Sequence, residues 1–224
     1  MPQLPLDLGF RPAHARADFL IAPCNAAAVA WIDRWPDWPA PVLALWGPAG
    51  SGKTHLLEVW RARSNARAIA THALTSAAPP QLLGSARAAA IDDAQGADEE
   101  ALLHLHNVLG ERQGHLLLAA REPPARWMIR LADLRSRLLA APAVAVEAPD
   151  DALLGAVLVK LFADRQLRIS EDLIAYLLPR IERSFAAAQA IVAALDEAAL
   201  AGQRAVTVRL ARELLSRDRN PDRG

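Results

Sequence analysis

Eight consecutive residues, Gly47-Pro48-Ala49-Gly50-Ser51-Gly52-Lys53-Thr54, constrain this chain more than any other feature, because they fit the pattern G-x-x-x-x-G-K-[ST] in full. Such a turn needs a strand before it and a helix after it. Its glycines let the backbone aim several N–H groups at one concavity, the following helix adds the positive end of its dipole, and Lys53 carries a mobile charge toward β and γ phosphates. Both flanks comply. Val42 to Trp46 is short, apolar and bounded by Pro41 and Gly47, as a buried parallel strand is, and Thr54 to Arg63 reads as helix. Thr54 would hold Mg²⁺. Lys53 and Lys160 are the two lysines in a chain that otherwise uses arginine, which suggests that a compact ammonium is specifically wanted in this turn.

Further strands are expected at Ala66 to Thr71, Ala86 to Ile91, His115 to Ala120 and Ala143 to Val146, with a helix from Asp98 to Glu111 between the third and fourth. Strands alternating with helices predict a five-stranded parallel sheet covered on both faces, an α/β core. After Pro149 the strand signal ends. Asp150, Ser170 and Thr207 each precede a periodic apolar segment, where a helix N-cap belongs. The predicted helices there are Asp151 to Arg165, Glu171 to Leu178, Ser184 to Leu200 and Val208 to Leu215. The expected organisation is an N-terminal tail at 1–17, a nucleotide-binding core at 18–148, a C-terminal helical lid at 149–217 and a disordered tail at 218–224.

A chain of 224 residues can hold one sizeable core, or a core plus a small appended subdomain. With 25 Lys+Arg against 25 Asp+Glu there is no global field to draw it onto nucleic acid, so any DNA affinity must be local. The single cysteine, Cys24, cannot form an intramolecular disulfide and suits a reducing compartment. Neither a charged leader with an apolar run nor about eighteen uninterrupted apolar residues occurs, so a cytoplasmic protein with no membrane partner is expected.

The run Ala88-Ala89-Ala90-Ile91 delivers Asp92-Asp93 at the carboxyl end of a buried strand beside the phosphate turn. Asp92 would act on the Mg²⁺ shell, and Asp93 would orient or deprotonate an attacking water. Taken alone, such a pair is more often the solvated start of a loop; the turn upstream favours the functional reading.

Gly52-Lys53-Thr54-His55-Leu56-Leu57 and Ile91-Asp92-Asp93-Ala94-Gln95 resemble the Walker A and Walker B segments of the AAA+ family of bacterial replication initiators, the DnaA family. The likeness runs from about Asp18 to Leu215. It implies an AAA+ core with a helical lid, ADP or ATP with Mg²⁺ as ligand, and contacts to the nucleotide from Gly47 to His55, from Asp92, and from Arg183 in Ile181-Glu182-Arg183-Ser184-Phe185, which resembles the sensor II segment. Phe19 and Ile21 resemble the segment that packs on adenine; plain core packing serves them equally well. Leu131-Ala132-Asp133-Leu134-Arg135-Ser136-Arg137-Leu138 looks like the segment bearing the arginine finger, with Arg137 in the finger position, acting in trans on a neighbour's γ-phosphate. Arg135 and Arg137 read equally well as solvated residues on a helix.

The chain begins near the AAA+ core and stops after the lid, so it resembles the truncated, regulatory branch of that family, which inactivates the initiator DnaA. Gln3-Leu4-Pro5-Leu6-Asp7-Leu8 resembles the hexapeptide that binds the sliding clamp of DNA polymerase III: Gln3 would hydrogen-bond in a pocket while Leu4, Leu6 and Leu8 supply apolar contacts. An N-terminal arm docked on its own domain is the structural alternative. The resemblance thus implies DnaA and the clamp as partners, leaves a homo-oligomer open, and implies no direct sequence-specific DNA binding. Two departures matter. Arg121 falls where a polar sensor I residue is expected, which puts intrinsic ATP hydrolysis in doubt. Ala73 to Ser85 contains no Lys or Arg, although a track for single-stranded DNA needs them. The rival readings are a self-assembling ATPase of the helicase-loader kind and a DnaA paralogue that binds single-stranded DNA.

Six histidines show no zinc spacing. The tryptophans at 31, 35 and 38 either cover a sheet edge or form a partner surface.

Overall fold

The computed structural model describes residues 21–75 and 78–218. Its centre is a sheet of five parallel strands, β1 (Val42–Trp46), β2 (Arg67–Ala68), β3 (Ala88–Ile91), β4 (His115–Ala120) and β5 (Ala143–Ala145), in the order β2-β3-β4-β1-β5. β1 is flanked by β4 and β5, with Trp46 opposite both Ala120 and Ala145. Ile91 lies opposite Leu118. The carboxyl ends of β1, β3 and β4 therefore lie side by side.

Apart from His115, β1, β3 and β4 are apolar because both of their faces are covered, and alternate residues serve opposite layers. Leu43 and Leu45 of β1 join Leu117, Ala119, Leu56 and Trp60 on one face, where α1 (Ala26–Arg34) and α2 (Lys53–Ser64) pack. Val42 and Ala44 join Leu116, Leu118, Leu105 and Leu138 on the other, against α3 (Pro79–Leu83), α4 (Glu99–Glu111) and α5 (Ala132–Ala140). Each fully buried leucine here contributes about 1.5–3 kcal/mol relative to an exposed one. The expected strand at Ala66 to Thr71 shrinks to two exposed residues. It is an edge strand bonded to β3 alone, and past it Thr71–Ala73 turns into a 3-10 helix. The Thr71 hydroxyl there donates to the Asp92 carbonyl at 2.7 Å.

The tryptophans resolve as packing. Trp38 stacks on the buried Trp60 with centroids 5.4 Å apart, Trp35 meets Trp60 edge-on at 6.1 Å, and His115 lies edge-on to Trp35 and Trp38. His115 opens β4, so this cluster caps the amino end of the sheet, opposite the phosphate turn.

Beyond β5 come α6 (Asp151–Asp164), α7 (Glu171–Leu177), α8 (Phe185–Gly202) and α9 (Val208–Asp218). They enclose a separate apolar cluster around Leu154, Leu158, Phe162, Leu173, Leu195 and Leu210. Asp150 caps α6 by accepting the Leu153 amide at 2.7 Å, and Thr207 accepts the Leu210 amide at 3.4 Å. Ser170 occupies the cap position of α7 without a side-chain cap bond. Ser184, expected as a helical residue, is instead the cap of α8 and accepts the Ala187 amide at 3.1 Å. By length and apolarity α8 is the one described helix able to cross a membrane, yet its stripe of Ala188, Ile191, Val192, Leu195 and Ala199 packs into the lid cluster.

Candidate phosphate-binding site

The turn from Gly47 to Thr54 connects β1 to α2 at the carboxyl edge of the sheet. Gly47 is held there from the neighbouring strand, its amide donating to the Ala120 carbonyl at 3.2 Å. Gly50 and Gly52 take φ of +71° and +101°, in the left-handed region that glycine adopts without strain. At Gly50 a second constraint operates: a β-carbon would lie 2.4 Å from the Ser184 Cβ. Over Gly52 it would lie 3.1 Å from the Phe185 ring. The start of α8 is thus seated on the turn, and the Phe185 amide donates to the Gly50 carbonyl at 2.9 Å.

Lys53 is nearly buried, and its ammonium donates to the carbonyls of Gly47 (2.9 Å) and Pro48 (2.7 Å). Burial pushes its pKa down, with the carboxylates of Asp92 and Asp93 pulling the other way and Arg121 adding to the fall. Ser51 is also buried. Gly52, Lys53 and Thr54 stand at the amino end of α2, where the first helical amides have no carbonyl partner within the helix. This is a concavity of amides with one ammonium at its wall. The residues fit a polyphosphate tail: glycines crowded on their outer side, free first-turn amides, and a cation positioned by its own loop.

Asp92 and Asp93 follow β3, as expected. The Thr54 hydroxyl donates to Asp92 Oδ2, and the Asp93 amide donates to Asp92 Oδ1 at 2.9 Å. Asp93 has φ +52°, a left-handed conformation unusual for a residue with a side chain. Thr54 and Asp92 together offer two oxygens to a divalent ion. Among the described residues no group of three or more His, Cys, Asp or Glu could cage a metal. Mg²⁺ here would therefore take its other ligands from phosphates and water. His55 lies half-buried in the first turn of α2.

Other expected residues are placed differently. Arg183 does not reach toward Lys53; its guanidinium bridges to Asp151 at 3.0 Å, and both side chains are largely exposed. The lid meets the phosphate turn through Ser184 and Phe185 instead. The reason is local: Ser184 caps α8, so the backbone at 184–185 points into the turn and Arg183 lies outside the helix beside α6. Ile21 is exposed, while Asn25 is buried and its Oδ1 accepts the Ala22 amide at 2.9 Å. Phe19 and the tail residues Gln3, Leu4, Leu6 and Leu8 lie outside the described residues.

Arg137 stands on α5, away from its own phosphate turn, half-buried. Asp133, one turn earlier, accepts from its Nε (2.7 Å) and Nη2 (3.0 Å), and His106 Nδ1 on α4 meets Nη1 at 3.2 Å. The bond from Arg137 holds the Asp133 carboxyl below its usual range. Burial, then the Arg137 charge, push the His106 pKa down. The chain enters α5 through a clamp on Glu99, which accepts the amides of Arg130 and Leu131 (3.0 and 2.8 Å); these bonds lower the Glu99 pKa. The i, i+4 spacing of Asp133 and Arg137 was legible beforehand. Nothing local signals His106, Glu99, Ser184 or Phe185, since their partners are distant in sequence.

A five-stranded parallel sheet in this order, a phosphate turn after β1 and an attached helical lid define an AAA+ fold. Structural comparison agrees: domain III of the replication initiation protein DnaA from Thermotoga maritima superposes with a TM-score of 0.77 at 16% identity, covering 93% of this chain and 97% of that one. AMPPCP-bound DnaA from Aquifex aeolicus gives 0.67 at 18% identity, over 80% of this chain and 63% of that one. Residues 151–215 match the family of Hda lid domains. The chain thus has an AAA+ fold whose C-terminal segment is similar to Hda lid domains. It is also 28% identical over 196 residues to an uncharacterised protein of Haemophilus influenzae, spanning 80% of this chain and 84% of that one.

Proposed function

We propose that this protein binds ADP or ATP with Mg²⁺ in the Gly47–Thr54 turn and regulates replication initiation by stimulating ATP hydrolysis on the initiator DnaA, while tethered to the sliding clamp. The observation that carries this reading is the Hda-type lid at 151–215 joined to a DnaA-like core. The arginine on α5 supports it. Arg137 is partly exposed and has two further N–H groups beyond the three engaged by Asp133 and His106. An arginine presented across an interface stabilises charge developing on a partner's γ-phosphate, an effect of about 10³ to 10⁵ fold in known NTPases. In this scheme Asp93 serves a water at this chain's own site, while the main chemistry occurs on the partner. Gln3, Leu4, Leu6 and Leu8 would hold the clamp and raise the local concentration beside newly replicated DNA. A cytoplasmic location and a nucleotide-dependent lid follow from the same reading.

The test is ATP hydrolysis by DnaA in the presence of clamp loaded on DNA. Wild-type chain is expected to accelerate it, Arg137→Ala to abolish the acceleration without changing nucleotide binding, and truncation of residues 1–10 to make it independent of the clamp. Equal stimulation by wild type and Arg137→Ala would remove the finger, and no stimulation by either would remove the regulatory function.

A further inference from the structure

The lid carries an apolar groove that the rest of the described chain leaves open. It lies between α6 and α7, holds about 380 Å³, and is walled by Ala152, Ala156 and Val159 on one helix and by Ile174 and Leu178 on the other. Ala152 and Ala156 are exposed, and so is Val159 at 50%. Gly155 lies between the walls, and a β-carbon there would come to 3.6 Å from Leu178 and 3.7 Å from Ile174. The hollow is thus kept open by a helical position without a side chain. Asp151 and Glu171, the first residues of the two helices, each add a carboxylate to its lining. From Asp151 to Val159 the groove runs about 12 Å along α6.

Residues 1–20, outside the described part, contain a segment that complements it. In Leu4-Pro5-Leu6-Asp7-Leu8 the leucines alternate with other residues, so an extended backbone puts all three on one face and Asp7 on the other. Leu4 to Leu8 then spans about 13 Å, the length of the groove. Arg11 follows shortly after and is opposite in sign to the groove's carboxylates. The described chain also starts close by: the Glu147 amide donates to the Cys24 carbonyl at 2.9 Å, just ahead of Asp151 at the start of α6. Glu147 and Asp151 lie at most about 14 Å apart, whereas the stretch from Leu8 to Ile21 reaches up to about 43 Å. Such a tether presents the leucines at an effective concentration on the order of millimolar, which a second copy of the chain in dilute solution does not match.

We propose that residues 4–8 dock in extended form in the α6–α7 groove of their own lid, with Leu4, Leu6 and Leu8 seated over Gly155 between the two helices. Apolar surface on both the segment and the groove leaves water together, which is the driving force. The same leucines are the proposed clamp contacts, so lid and clamp take the segment in turn. That consequence rests on the clamp-binding reading; the docking does not.

The experiment is disulfide trapping in the full chain. In a Cys24→Ser background, Leu6→Cys is combined either with Ala156→Cys on the groove wall or, as control, with Met128→Cys, which replaces a residue 95% exposed on the core. A disulfide needs its two α-carbons within about 7 Å. Under mild oxidation of dilute protein the Ala156→Cys pair is expected to close within one chain at least about tenfold faster than the control, read as a faster-migrating monomer on a non-reducing gel. Gly155→Leu, which fills the groove, should cancel that advantage, and a thermal melt checks that the lid is intact. Val159→Arg, a change at an exposed position, serves the same purpose should Gly155→Leu unfold the lid. Comparable rates for the two pairs, disulfides only between chains, or an advantage that survives a filled or charged groove overturns the proposal. Clamp binding by the chain without added cysteines separates the two readings: Val159→Arg frees the segment and should tighten binding about two- to tenfold. Unchanged binding overturns the exclusion between lid and clamp, and no clamp binding by wild type or variant removes the clamp reading while the trapped disulfide still stands.

Discussion

At the scale of single residues, the phosphate turn is held by contacts on two sides. Gly50 satisfies a left-handed backbone and also leaves space for Ser184 of the lid, so its requirement comes from tertiary packing as much as from phosphate approach. Gly50→Ala is therefore expected to do more than strain one dihedral. Left-handed conformation alone costs about 1–2 kcal/mol for a residue with a β-carbon, and the 2.4 Å approach forces the start of α8 away. Urea denaturation should show a loss of at least about 1 kcal/mol. Nucleotide affinity should fall with it. A variant as stable as wild type would contradict the observed seating of Ser184. Lys53 follows a similar logic: the carbonyls of Gly47 and Pro48 aim it before any ligand arrives, which lowers the ordering cost of binding.

At the scale of elements, the helices of the lid begin where their caps direct, while β4 ties the two ends of the sheet together. Its first residue, His115, is packed edge-on against Trp35 and Trp38, and burial drives its pKa below the ordinary imidazole value; the Pro36 carbonyl opposes and Arg87 assists. His106 on α4 shifts in the same direction. A histidine depressed in the folded state binds its proton more readily when unfolded. Stability is thus fully present above about pH 6.5 and falls as pH drops through the window between that ordinary value and the lowered folded one. Urea midpoints at pH 7.5 and 5.5 should differ for wild type, and the gap should narrow in His115→Phe. A gap unaffected by that substitution would assign the acid sensitivity elsewhere.

At the scale of the whole molecule, the core and the lid have separate apolar clusters and meet at Gly50, Gly52, Ser184 and Phe185. A ligand that fills the turn acts on both parts. Ligand at 100 times its Kd should stabilise the chain by about 2.7 kcal/mol. A thermal melt with and without saturating ADP measures this. Phe185→Ala should reduce the coupling, so that ADP still protects the core from proteolysis but protects the lid less. Equal protection of core and lid in Phe185→Ala would show that the aromatic contact does not transmit the nucleotide state.

The sequence by itself determined the features whose causes are local. The phosphate turn, β1 and β4 residue for residue, Asp92-Asp93 after β3, the cap at Asp150 and the switch to helix beyond Pro149 each depend on neighbours within a few positions, through glycine conformation, apolar period or capping. Only the tertiary structure decided which lid residues meet the phosphate turn, that Arg183 turns to Asp151, that Trp35 and Trp38 become core, and that β2 shrinks to an exposed edge. Those outcomes depend on groups tens of residues apart competing for the same space and the same hydrogen-bond partners, and a side chain's position in the chain does not reveal which competitor wins.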